Sequence, residues 1–95
     1  MSDPWPFTER PDEMAVSQRT ILKEGRPILL VVHDGEDGTW QFLDGGEFRT
    51  EAALLVTLKT VLAHDASMAT LADLEPGWQA RRAGPGSPWV RERCV

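Results

Sequence analysis

The chain is predicted to fold as α+β: a small antiparallel sheet from an N-terminal strand and two hairpins, with one long and one short helix packed on one face. Three patterns in the sequence predict this. The apolar run Ile28 to Val32 breaks at Asp34-Gly35-Glu36-Asp37-Gly38 and resumes as the alternating segment Thr39-Trp40-Gln41-Phe42-Leu43, which reads as a hairpin with a longer loop. Leu54, Leu55, Leu58, Val61 and Leu62 recur with the spacing of an amphipathic helix over 50–64. Trp78 to Arg82 and Trp89-Val90 flank the loop Gly84 to Pro88 as a second hairpin.

Taken in order, residues 1–12 form an extended N-terminal arm, and 13–95 form a single α+β domain. The arm holds Pro4, Pro6 and Pro11 among acids, while Trp5 and Phe7 mark it as lying along the domain or along a partner. Met14 to Ser17 suits a short strand. Thr20 to Gly25 suits one helical turn, with Thr20 as N-cap and Gly25 as a left-handed stop, and Pro27 forbids its continuation. In the first hairpin Ile28, Leu30 and Val32 alternate with Leu29, Val31 and His33, and Trp40 and Phe42 share one face of the return strand. One side is therefore strongly apolar and the other mixed, as in a sheet with helices on one face.

Asp44-Gly45-Gly46 supplies a turn. Thr50 is the expected cap of the long helix, Glu51 suits its first turn, Lys59 its solvent side and His64 its last turn. A shorter helix is expected from Ser67, with Met68, Leu71, Ala72 and Leu74 inward and Pro76-Gly77 as the stop. Pro88 beside the last strand points to a sheet edge.

Ninety-five residues suffice for one domain and one modest core. No apolar run approaches the roughly 18–20 residues of a membrane helix. The N-terminal sequence lacks the basic start and apolar centre of a secretory signal, so a cytoplasmic location is expected. Cys94 is the single cysteine, which excludes an internal disulfide and a paired-cysteine metal site. The net charge of −5 opposes the phosphate neutralisation that drives nucleic-acid binding. The arginines near the C-terminus, Arg81, Arg82, Arg91 and Arg93, read as a solvated strand face.

The acidic bend invites a calcium reading, but the place of the bidentate glutamate, counted from Asp34, is Gly45. Neither a metal nor another cofactor is expected. His33-Asp34 and His64-Asp65 raise a hydrolytic reading centred on His33. Strand neighbours point to opposite faces, however, and no serine elbow, phosphate loop or paired-histidine zinc motif accompanies them. No catalytic residue is assigned. The residues expected to bind are Asp34, Glu36 and Asp37 in the bend, with Trp78 and Trp89 at the ends of the second hairpin. An acidic bend and exposed indoles suit a protein partner with a basic surface. A homodimer is compatible with the sequence.

The run AVSQRTILKEGRPI, followed by HDGEDGTWQFLDGGE, resembles a group of short uncharacterised bacterial proteins. That group carries an HD-acidic-G-x-WQFL signature and an ending of the form PGW followed by PW. Here these correspond to His33 through Leu43, Pro76-Gly77-Trp78 and Pro88-Trp89. More weakly, the chain is similar to a larger family containing candidate immunity proteins of bacterial polymorphic toxin systems. It shares the valine-serine strand, the turn ending in Glu24-Gly25 and the tryptophan-bearing hairpin, and it lacks that family's extra acidic segment. The resemblance carries no catalytic residues over. The expected function is a non-catalytic protein-binding, immunity or regulatory module using the acidic bend, the alternative being a small hydrolytic or metal-dependent accessory domain centred on His33 and the neighbouring acids.

Overall fold

A computed structural model describes residues 4–47 and 49–94. The fold is α+β, and its centre is a six-stranded, mostly antiparallel sheet of order β4-β1-β3-β2-β5-β6. The strands are β1 Met14–Gln18, β2 Leu30–His33, β3 Trp40–Leu43, β4 Ala53–Thr57, β5 Trp78–Arg81 and β6 Val90–Arg93. Helix α1 spans Arg19–Leu22, helix α2 Leu58–His64, and a 3-10 helix Ala66–Leu71.

The first hairpin pairs Val31 with Phe42 and His33 with Trp40, and β5 joins the other side of β2 with Ala80 opposite Val31 and Trp78 opposite His33. Val31, Trp40, Phe42 and Ala80 are fully enclosed and face the same way as Ala15. Ile21, Leu58, Val61, Met68, Leu71 and Leu74, from α1, α2, the 3-10 helix Ala66–Leu71 and the turn after it, join the same core cluster. Burying the Trp40 and Phe42 side chains contributes on the order of 1.5–3 kcal/mol each.

Four expectations are corrected. The predicted long helix 50–64 is a 3-10 turn, Thr50–Ala52, then strand β4, then the seven-residue helix α2. The reason lies in β1: its outer N–H and C=O groups need partners, and Ala53–Thr57 pairs residue by residue with Gln18–Met14. Val56 and Thr57 are β-branched and suit that role. Only Leu58, Val61 and Leu62 keep the helical stripe. The cap moves accordingly: Thr50 makes no capping contact among the described residues, whereas the Thr57 hydroxyl accepts from Thr60 N–H at 3.1 Å.

The expected second helix is 3-10 rather than α. Met68, Leu71 and Leu74 are buried three residues apart, the period of the tighter helix, and Asp65 caps it, accepting from Ser67 N–H. Thr20 is not an N-cap either. Helix α1 starts after Gln18 without a side-chain cap, and the Thr20 hydroxyl donates to Asp44 Oδ2 at 2.7 Å. Finally, the sheet is not wholly antiparallel, because β1 runs parallel to β3. After α1 the chain enters β2 running opposite to β1, so the return strand of the hairpin, β3, runs the same way as β1.

The arm joins the core at Phe7, with Trp5 packed against it. Phe7 is 5% exposed and meets Trp40 edge-on at 5.1 Å, while Trp5 donates its indole N–H to Glu9 O at 2.6 Å. The left-handed φ of +75° at Gly25 provides the predicted stop after α1. Among the described residues no helix is long and apolar enough to cross a membrane.

Candidate functional site

The first hairpin bend, the arm and the connector into β5 converge at one end of the sheet. Gly77 N–H donates to His33 O at 2.7 Å, which fastens the connector beside the hairpin. The contact is tight at Gly35, where an added Cβ would lie 3.2 Å from Gly77 Cα.

Between these segments lies a cavity of about 360 Å³, lined in part by Glu9, His33, Asp73, Leu74 and Glu75. Its lining includes no lysine or arginine. An adjoining recess of about 310 Å³ shares Asp73, Leu74 and Glu75 and adds Trp78 and Arg91.

His33 sits at the inner end of the larger cavity, 6% exposed, because strand alternation turns it to the core face with Val31. Its Nδ1 lies 2.7 Å from the Leu74 carbonyl oxygen. A carbonyl only accepts, so Nδ1 donates its proton to it. Nε2 is 3.6 Å from Glu9 Oε2. The ring stacks on Trp40 at 3.9 Å between centroids, inclined by 16°. The indole N–H of Trp40 is buried and has no hydrogen-bond partner among the described residues.

The bend organises itself. Asp34 Oδ1 accepts from Glu36 N–H at 2.7 Å, and Asp34 N–H donates to Thr39 O at 2.8 Å. Asp37 Oδ1 accepts from Thr39 N–H at 2.9 Å, and the side chain and backbone N–H of Thr39 hold its carboxyl below the usual aspartate range. Asp34 and Asp37 therefore spend oxygens on the turn, as Asx turns do. Glu36 is exposed. Asp73 accepts from the Arg91 guanidinium at 2.8 Å, and that bond and charge lower its carboxyl pKa.

The two tryptophans expected to bind lie at different ends. Trp78 is directly opposite His33 and so adjoins the acidic end, partly buried, with the Arg93 guanidinium 5.8 Å from its ring centroid. Trp89 precedes β6 at the far end, where it packs on the core under the Arg82 guanidinium at 4.5 Å. The structure thus brings Asp34, Glu36 and Asp37 near Trp78, and it separates Trp89 from them.

Sequence reasoning missed Glu9, Asp73, Glu75 and the Leu74 carbonyl. They come from two distant segments, the arm and the stretch 73–75, and no spacing rule links them to His33. The one available signal was the acid-bearing arm with its two aromatics, which the burial of Phe7 now explains. Among the described residues no three His, Cys, Asp or Glu side chains are grouped so that they could hold a metal ion. Compared with family models, curated proteins and solved structures, the chain matches none.

Proposed function

We propose that this protein is a non-catalytic binding module that captures a basic segment of a protein partner at the acidic end of its sheet, in a regulatory or immunity-type role. The observation that carries this reading is the cavity bordered by Glu9, Asp73 and Glu75 with no lysine or arginine in its lining. Glu36 and Asp37 extend the same sign of charge onto the neighbouring bend. A lysine or arginine side chain entering the cavity gains the Glu9 and Glu75 carboxylates at its head and Leu74 along its stem, Asp73 being already paired with Arg91. Trp78 supplies a half-buried aromatic edge beside it, the kind of anchor that concentrates binding energy. Complementary charge also speeds encounter and makes it dependent on salt.

The test is titration of labelled lysine- and arginine-rich peptides against the wild type and the E9Q/E75Q variant. Binding that weakens at least tenfold in the variant, and that falls with added salt, supports the reading. Equal affinity in both proteins, or equal capture of acidic peptides, overturns it.

A second reading, a small hydrolytic domain centred on His33, is favoured by one contact. The Leu74 carbonyl holds a proton on Nδ1, which in the neutral ring makes Nε2 the acceptor that a general base requires. Hydrolysis of ester or phosphoester test substrates that disappears in H33F supports this alternative, and turnover unchanged in H33F ends it.

A further inference from the structure

The two outer strands of the sheet are built differently. Edge strand β6 has the sequence Val90-Arg91-Glu92-Arg93 and is exposed throughout; Arg91 is tied to Asp73 and Glu92 to Arg81. Charged edges of this kind resist pairing with another chain. Edge strand β4, Ala53-Leu54-Leu55-Val56-Thr57, has no charge, no proline and an unbroken register against β1. Leu55 at its centre is 72% exposed, more than Met14 or Val90, the other exposed large apolar side chains.

The hydrogen-bond phase of β4 shows which of its backbone groups face outward. Leu58 N–H donates to Glu13 O at 3.0 Å, one step beyond the Met14–Thr57 pair. Bonded pairs alternate along an antiparallel ladder, so Val56 and Leu54 bond to β1 while Ala53, Leu55 and Thr57 turn their groups to the free edge. Ala53 N–H is already used by Thr50 O, and Thr57, as the N-cap of α2, turns its carbonyl into the first helical bond. The groups left over are Leu55 N–H, Leu55 C=O, Thr57 N–H and Ala53 C=O. Among the described residues none of these has a partner.

That remainder is self-complementary, and we infer that β4 pairs antiparallel with β4 of a second copy of this chain about a two-fold axis at Leu55. In that register the Leu55 residues exchange N–H and C=O, and each Thr57 N–H meets the facing Ala53 C=O. The two groups already in use, Ala53 N–H and Thr57 C=O, are the pair that would otherwise have faced each other, so no edge group is orphaned. The most exposed leucine of each copy is covered by its counterpart.

On the helical side, Leu54 of one copy faces Val56 of the other. A recess of about 490 Å³, lined in part by Leu22, Leu54, Val56, Thr60 and His64, flanks the edge there. Charge agrees with the same register. Exposed Glu51 precedes β4 and exposed Lys59 follows it, so the two-fold brings Glu51 of each copy to the end occupied by Lys59 of the other. Arg49 at that end is engaged by Glu47 at 3.7 Å. The result is a continuous sheet across an isologous interface.

The test is mass against concentration by sedimentation equilibrium on the full chain, with circular dichroism to confirm folding. The wild type should pass from 10.6 kDa to twice that mass as concentration rises to sub-millimolar. L55K places like charges on the axis and should weaken association at least tenfold, with its fold kept because Leu55 is exposed. E51K and K59E should each weaken association severalfold when alone. Mixed together, they should form a heterodimer, because each end then joins opposite charges. A wild type that stays at 10.6 kDa throughout overturns the inference. A dimer indifferent to L55K, or a mixture of E51K and K59E that associates no better than either alone, overturns it equally.

Discussion

Replacing Asp65 separates the two tasks of one carboxylate. The Arg82 side chain is 6% exposed; its Nε donates to Ile28 O at 3.0 Å, and a terminal nitrogen lies 3.4 Å from Asp65 Oδ2. The other Asp65 oxygen caps the 3-10 helix, accepting from Ser67 N–H at 2.9 Å and from its hydroxyl at 2.6 Å. D65A removes both roles. Loss of a cap costs about 1 kcal/mol. Stripping the partner from a fully buried ion costs about 3–5 kcal/mol, but Asp65 is 26% exposed and the contact is long, so about 1–2 kcal/mol is expected. The sum, about 2–3 kcal/mol, corresponds to a fall in Tm of about 10–20 °C for a domain of this size.

D65N keeps a capping oxygen and loses only the charge, so it should cost about 1–2 kcal/mol. The pH dependence follows from the carboxyl itself. Burial tends to raise its pKa, but the Ser67 hydroxyl and N–H together with Arg82 outweigh burial and leave it below the ordinary 3.8. A carboxyl lowered by folding stabilises the native state above its unfolded value, and this contribution is lost as pH falls through the folded value. The stability gap between wild type and D65N should therefore be full near neutral pH and close below 3.8. Urea denaturation from neutral pH into acid measures it. A D65N as unstable as D65A, or a gap that persists unchanged in acid, would refute the reasoning.

Three further outcomes are expected. T57A should lose about 1 kcal/mol through its cap, while T50A should change stability by less than about 0.5 kcal/mol; chemical denaturation of the pair locates the true start of α2. F7A should cost about 3 kcal/mol by opening a cavity beside Trp40, read by denaturation followed through tryptophan fluorescence, because the arm belongs to the core. H33F should keep the stack on Trp40 but leave the Leu74 carbonyl without its donor, costing about 1–3 kcal/mol in the same assay.

Much of the fold was legible where one period was unambiguous. The alternation of Trp40 and Phe42 gave the first hairpin and the buried face, and the Trp78 and Trp89 segments gave the second. The segment 50–64 was not legible, because Leu54, Leu55 and Leu58 fit a helical stripe as well as a strand followed by a helix. What decides between them is the unpaired side of β1, a need visible only once the sheet is assembled. The same holds for Met68, Leu71 and Leu74, whose spacing by three fits either kind of helix. The candidate site was half legible. The acidic bend and Trp78 adjoin as neighbours in strand pairing, but Glu9 and Glu75 reach His33 through tertiary contacts that leave no local pattern. Trp89, expected to bind together with the bend, lies at the opposite end under Arg82.

Whether the carboxylates around the cavity recognise a cation is measured most directly by nuclear magnetic resonance, titrating an arginine-rich peptide into the labelled protein. Shifts should concentrate on Glu9, His33, Glu75 and Trp78, fade with added salt, and vanish in E9Q/E75Q. Shifts spread over the whole surface, or centred on Trp89 and the second hairpin loop, would contradict the assignment of that end of the sheet as the binding site.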